Sequence, residues 1–191
     1  GSPTTLSDEE LTEKLGFKVR FPSQCAGFDL KDKTLSLTLW KELDHTTSQT
    51  LTSSMVKAIN DANEFEKLKE FKPSLGVSTT YHDPMVGTIY ISINRIPAIV
   101  DSKELLRYKS NVRIGKLRGI WLEYPFADYR HKAANGFYKW DMTQKPEDVI
   151  ITQSLSWYSD ELEYQLHPQA FQNFELTRKE AVKIAKAFMK F

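Results

Sequence analysis

Four histidines are the first candidates for chemistry: His45, His82, His131 and His167. Metal ligation from a single element needs close spacings such as His-x-His or His-Glu-x-x-His, which put two ligands on one side of the chain. None of the four has such a neighbour. His82-Asp83, within the stretch YHDP, is the closest pair of possible ligands, and Asp before Pro is equally a turn signal. No Gly-x-Ser-x-Gly occurs, and no Ser, His and Asp are brought together by sequence. The paired carboxylates Glu9-Glu10 stand at a helix start, where they complement the helix dipole. The eight glycines are scattered and form neither Gly-x-Gly-x-x-Gly nor a phosphate loop. Cys25, the single cysteine, reads as a small half-buried thiol. The sequence therefore assigns no catalytic residue, no metal ligand and no cofactor.

The unusual segment is YPFADYRHKAANGFYKW, residues 124–140. Six of its seventeen residues are aromatic, with Arg130, His131, Lys132 and Lys139 set among them. Rings beside cations stack on sugars, bases or peptide side chains. A loop of this composition either buries its rings under itself or presents them. On the second reading the ligand- or partner-binding residues are Trp121, Tyr129, Arg130, Tyr138 and Trp140.

These residues need a frame. SDEELTEKLG predicts a helix with a capping box from Ser7 to Glu10 and a stop at Gly16. FKVRF alternates as a strand, and TLSLTLWKEL is a clearer one, with Leu35, Leu37 and Leu39 on one face. Residues 44–50 read as loop. From Leu51 to Phe71 apolar residues recur every three or four positions, an amphipathic helix that Asn63 can interrupt and Pro73 and Gly76 close. Its charged EFEKLKEFK stretch reads as a solvated face. Val77, Thr79 and Tyr81 predict a strand, joined by a turn at HDPM to GTIYISINRI. DSKELLRY carries a capping box from Asp101 to Glu104. GKLRGIWLEYP is a strand with Ile120, Leu122 and Tyr124 on one face and Trp121 on the other. Residues 125–147 form a long connection with an Asn135-Gly136 turn. In SLSWYSDELEYQL a loop at Ser159-Asp160 sets Trp157 opposite Leu162 and Leu155 opposite Tyr164; a longer bulged loop is the alternative. LTRKEAVKIAKAFMKF is a helix capped by Thr177 and Glu180, with Ala181, Ile184, Ala185 and Phe188 on its apolar stripe.

Strands joined by short turns favour antiparallel pairing, so the fold class is α+β: an antiparallel β-sheet packed against N-terminal, central and C-terminal helices. Gly1-Ser2 reads as a vector scar, and residues 3–191 as one domain. Basic and acidic residues number 26 and 25, a balance that gives no global attraction to nucleic acid or anionic lipid. No apolar run is long enough to span a membrane.

The Trp157, Asp160, Leu162, Tyr164 and Leu166 pattern, followed by the capped 177–188 helix, resembles a family known mainly from Gram-positive bacteria. It is an extracytoplasmic domain of unknown function, found in lipoproteins and at the outer C-terminal ends of membrane-bound anti-sigma factors. LGFKVRFPSQCAGFDL is similar to the family's opening. Cys25-Ala26 stands where members often have Leu-Pro, and Glu161 where they often have Gly. The resemblance implies export, a cell-surface or membrane-anchored location, and no known catalysis. The expected function is a non-catalytic binding or sensing domain of the cell envelope. Its partner would be a protein, peptide or glycan, with possible relay to a regulator. Rival expectations are a cell-wall hydrolase using His82 and Asp83, a structural part of an envelope or spore assembly, and a carrier of an apolar ligand.

Overall fold

The computed structural model describes residues 1–41, 43–95, 108–170 and 174–190. The chain begins with a short strand, β1 (Ser2–Thr4), and helix α1 (Asp8–Leu15). Ser7 caps α1 with Glu10 completing the box, and Gly16 closes it in a left-handed conformation, as the sequence predicts. FKVRF does not become a strand. Its main-chain donors are taken by side chains of α1: Val19 N–H bonds Thr12 Oγ1 at 3.1 Å, and Phe21 N–H bonds Asp8 Oδ2 at 3.0 Å. Those two donors, on one side of the segment, are then closed to a ladder. The alternation still serves burial, since Val19 and Phe21 both reach the core.

β2 (Gln24–Cys25) turns tightly into β3 (Phe28–Leu39), which buries Leu35 and Leu37. The central helix starts earlier than its apolar pattern. Asp44 accepts Thr47 N–H at 2.8 Å and caps α2 (His45–Ala58), so the polar residues read as loop are helical. The break falls before Asn63, because Asp61 accepts the N–H groups of Asn63 and Glu64 and caps a second helix, α3 (Ala62–Lys67). A 3-10 turn at Lys69–Phe71 leads into β4 (Pro73–Asp83), so Pro73 and Gly76 belong to a strand. Exposed ion pairs Glu64–Lys67 and Glu66–Lys69 decorate α3 and this turn, the solvated face that the charge pattern predicts.

β4 and β5 (Gly87–Arg95) form the expected hairpin, burying Val77, Thr79 and Tyr81 against Ile89, Ile91 and Ile93. The expected cap at Asp101–Glu104 lies outside the described residues. β6 (Lys109–Ile114) and β7 (Leu117–Asp128) form the next hairpin. Gly119 of β7 lies so close to Ile114 Cδ1 that an added Cβ would stand 2.4 Å from it, and the Ile114 side chain would have to shift to admit one. The stretch read as one long connection is partly strand. β7 continues to Asp128, and a separate hairpin, β8 (Arg130–Lys132) with β9 (Tyr138–Trp140), turns at Asn135-Gly136 as expected. Then come β10 (Asp148–Ser159), β11 (Leu162–Pro168) and α4 (Arg178–Met189).

The β10–β11 hairpin keeps its predicted apolar face but not its register. Asp160 and Glu161 form the loop, with φ 49° and 64°, so Trp157 pairs with Tyr164 and Leu155 with Leu166. Positive φ at both positions is the type I′ conformation, whose twist matches that of the strands. Moving the loop one residue along shifts each pairing by two positions, which leaves every side chain on its original face. Trp157 and Tyr164 now stack, ring centroids 5.4 Å apart and planes 12° from parallel.

The main sheet is antiparallel throughout, in the order β1-β3-β4-β5-β11-β10-β7-β6, with β2 on β3. Both β2 near one end and β6 at the other touch α4, so the sheet curls around that helix. Phe188 of α4 sits at the centre, with its ring 6.2–6.4 Å from those of Phe21, Tyr81, Trp157 and Tyr164. The apolar stripes of the helices and the inward residues of the sheet form one core. The outward residues, among them Ser78, Ser92, Gln165, Ser154 and Leu122, are half-exposed. The α+β class holds, with helix positions partly as predicted.

Candidate functional site

The site is built where β7 and β10 outrun the rest of the sheet. Their pairing continues from Trp157–Gly119 to Asp148–Asp128, while β11 pairs with β10 only as far as Leu155–Leu166. The two strands therefore project as an arm, and the β8–β9 hairpin follows from its tip. Trp140 folds back from that hairpin onto the arm, its ring 5.8 Å from both Phe126 and Tyr129. Arg130 anchors the hairpin with two guanidinium bonds to the buried Asp128, Nε–Oδ1 at 3.0 Å and Nη2–Oδ2 at 2.8 Å. Those bonds hold the Asp128 carboxyl below its ordinary range. The same guanidinium lies 5.4 Å over the ring of Tyr138. At the base of the hairpin His131 Nδ1 meets Glu147 Oε1 at 2.8 Å. Asp141 caps the turn after β9, and the hydroxyl of Thr143 and the amide of Gln144 lower its carboxyl to about 2.

Beside the arm lies a groove of about 960 Å³. Tyr90, Tyr124, Phe126, Trp140 and Phe174 supply its aromatic wall, and Thr152, Gln153, Ser154 and Gln165 its hydroxyl and amide groups. His167 lies against Tyr90, ring centroids 5.4 Å apart and planes tilted by 40°, and burial pushes its imidazole down, which favours the neutral ring. Among the described residues no lysine or arginine lines the groove, and Glu175 is the one acidic residue that does. A concave, mostly apolar wall with a few polar groups suits a neutral ligand or a neutral segment of a partner. A second groove of about 520 Å³ lies between Leu15, the α2–α3 junction and the start of β4, with Lys14 and Arg95 at its rim.

The expected binding residues separate. Trp140 joins the groove, and Tyr129 supports it by edge contact. Tyr138 is 66% exposed and stands on the hairpin with Arg130 beneath it. Trp121 is corrected: it is 4% exposed and pairs with Leu155 on the core side of the sheet. The alternation of β7 is right, but Ile120, Leu122 and Tyr124 face outward and Trp121 inward. Tyr90, Gln165 and His167 were missed, since each is an outward position that reaches the groove through the β5–β11 pairing, whose two strands are distant in sequence. Phe174, at the other end of the groove, follows β11 in the link to α4.

The YHDP residues act locally. His82 Nδ1 is 2.8 Å from Thr88 Oγ1, and Asp83 accepts Met85 N–H at 2.8 Å in the hairpin turn. Among the described residues no three His, Cys, Asp or Glu side chains converge as metal ligands. No described helix is long and apolar enough to cross a membrane. No family model, curated protein or solved structure matches this chain.

Proposed function

We propose that the chain is a non-catalytic binding or sensing domain of the bacterial cell envelope, which recognises a protein, peptide or glycan through the groove beside the β7–β10 arm and relays occupancy to a regulator. The observation that carries the reading is the aromatic wall. Tyr90, Tyr124, Phe126 and Trp140 come from two separate strands and the hairpin, yet gather on one groove with no cation among its described lining. A ring buried on its own account would close its cavity; these leave one open. The extracytoplasmic setting comes from the resemblance of the β10–β11 hairpin and α4 to the exported Gram-positive family. A sensing role fits an arm that reaches past the core and carries its own salt-bridged hairpin.

The test is retention of envelope material. Protein and wall-glycan fractions from a Gram-positive cell envelope are passed over the immobilised chain and over the Tyr124→Ala/Trp140→Ala double variant. Both side chains are at least partly exposed, so the fold should survive their loss. Removing two aromatic anchors is expected to reduce retention about tenfold or more. Equal retention by both proteins would move the binding site elsewhere, and retention by neither would remove the reading.

A further inference from the structure

Where β11 stops, the sheet has an open place. Among the described residues, 148–154 of β10 pair on the β7 side alone. The cause is local. The two-residue loop makes Ser159 and Leu162 a hydrogen-bonded pair, so the odd-numbered residues of β10 turn N–H and C=O toward β11. The next such partner for Gln153 would be Pro168, which has no N–H to give. The chain then leaves the ladder, and Gln169 N–H bonds the Thr88 carbonyl at 2.9 Å. Val149, Ile151 and Gln153 consequently direct main-chain groups at the open side. Two of these groups are met by the strand's own side chains: Asp148 Oδ1 accepts Val149 N–H at 2.7 Å, and Gln153 Nε2 donates to the Ile151 carbonyl at 3.2 Å. Both contacts place those groups off the ladder.

The aromatic groove occupies this same place. A groove across a sheet face touches alternate residues of a strand, because side chains alternate. This one is lined by every residue from Ile150 to Ser154, as a groove along a strand edge must be, and by Pro168, Gln169 and Ala170 where β11 departs. Val149 and Ile151 stand beside it 56% and 49% exposed. An unpaired edge flanked by apolar side chains is a template for another strand.

We infer that the β10 edge takes an extended segment of a partner protein by strand addition. The segment's main chain bonds Val149, Ile151 and Gln153, and its alternate side chains enter the aromatic groove. This rests on the binding reading above and fixes its partner as a peptide. Residues 149–153 span about 17 Å at about 3.3 Å per residue, so roughly five partner residues are read. Glu175 and the lack of cations in the described lining select a segment that is apolar at alternate positions and carries no acidic residue there.

The probe is a peptide selected from a phage-displayed library of random dodecapeptides on the immobilised chain, then synthesised with single backbone N-methylations. Methylation at every second residue of the bound segment is expected to weaken binding about tenfold or more, the loss of a desolvated hydrogen bond, and intervening positions less than about twofold. Ile151→Pro is expected to weaken the unmodified peptide similarly, because residue 151 donates to the open side and not to β7. Should that variant fail to fold, the methylation scan still decides. A flat scan, the absence of any selected binder, or displacement of the peptide by a neutral wall oligosaccharide overturns strand addition. A dimer of the chain that Ile151→Pro dissolves gives the edge to a second copy and overturns it too. If the scan is flat while Trp140→Ala still abolishes envelope retention, strand addition alone is wrong and the groove reading stands.

Discussion

Phe188→Ala is expected to destabilise the protein by about 3–5 kcal/mol, the range for an aromatic ring removed from a closed core. Phe188 is fully buried, and its ring lies against those of Phe21, Tyr81, Trp157 and Tyr164 together. Those rings come from the segment after α1, from β4, and from both strands of the β10–β11 hairpin. Because the sheet curls around α4, the cavity has no loose side from which to collapse. Urea titration should show a lower midpoint with an unchanged slope, the mark of lost stability rather than altered compactness. A loss below about 1 kcal/mol would mean that α4 does not roof the sheet.

Cys25 is expected to react with a maleimide or disulfide reagent roughly a thousandfold more slowly in the folded protein than in urea. The side chain is fully buried, its Sγ lies 3.2 Å from the carbonyl of Ile184, and burial pushes the thiol up to about 12. Compared with an ordinary thiol near 9.0, a thiol at about 12 has about a thousandfold less thiolate at pH 8, before steric exclusion is counted. The same shift makes stability depend on pH. A thiol whose folded value is raised contributes fully below its unfolded value near 9, and that contribution is lost as pH rises toward 12. Between these limits the folded state holds one proton more, so stability falls by roughly 1.4 kcal/mol per pH unit. Burial raises the hydroxyl of Tyr81 as well, which steepens the loss at still higher pH. Cys25→Ala should remove the first part of the slope; an unchanged slope, or rapid labelling at pH 8, contradicts the account.

The elements legible in the sequence are those whose local signals agree. α1 and α4 each combine a capping box with an apolar stripe, and both form at the predicted places. β4 and β5 alternate cleanly and are joined by turn residues. Signals failed where tertiary partners decide. FKVRF has strand periodicity, but side chains of α1 take its donors before another strand can. The polar start of α2 has no apolar pattern, and a single Asp44 cap establishes it. For β7 the period was readable and the direction was not, since both faces carry large apolar residues and only the sheet order sends Trp121 inward.

The site was half legible. The aromatic richness of 124–140 pointed to the arm and to Trp140. Tyr90 and His167 come to the groove through β5–β11 pairing across more than seventy residues of chain, which no local pattern encodes. The open edge depends on Pro168 falling at a position of β11 that faces β10 and needs an N–H, and that depends on a register the loop chemistry moved by two.

Amide hydrogen exchange along β10, resolved residue by residue, tests this register and its open edge most directly. Ile151 N–H should exchange fast although its neighbours Ile150 and Thr152, which bond β7, are protected, and Leu155 and Trp157 should be protected further along. Protection of Ile151 equal to that of Leu155 would show a strand already seated there, and the binding edge would be gone.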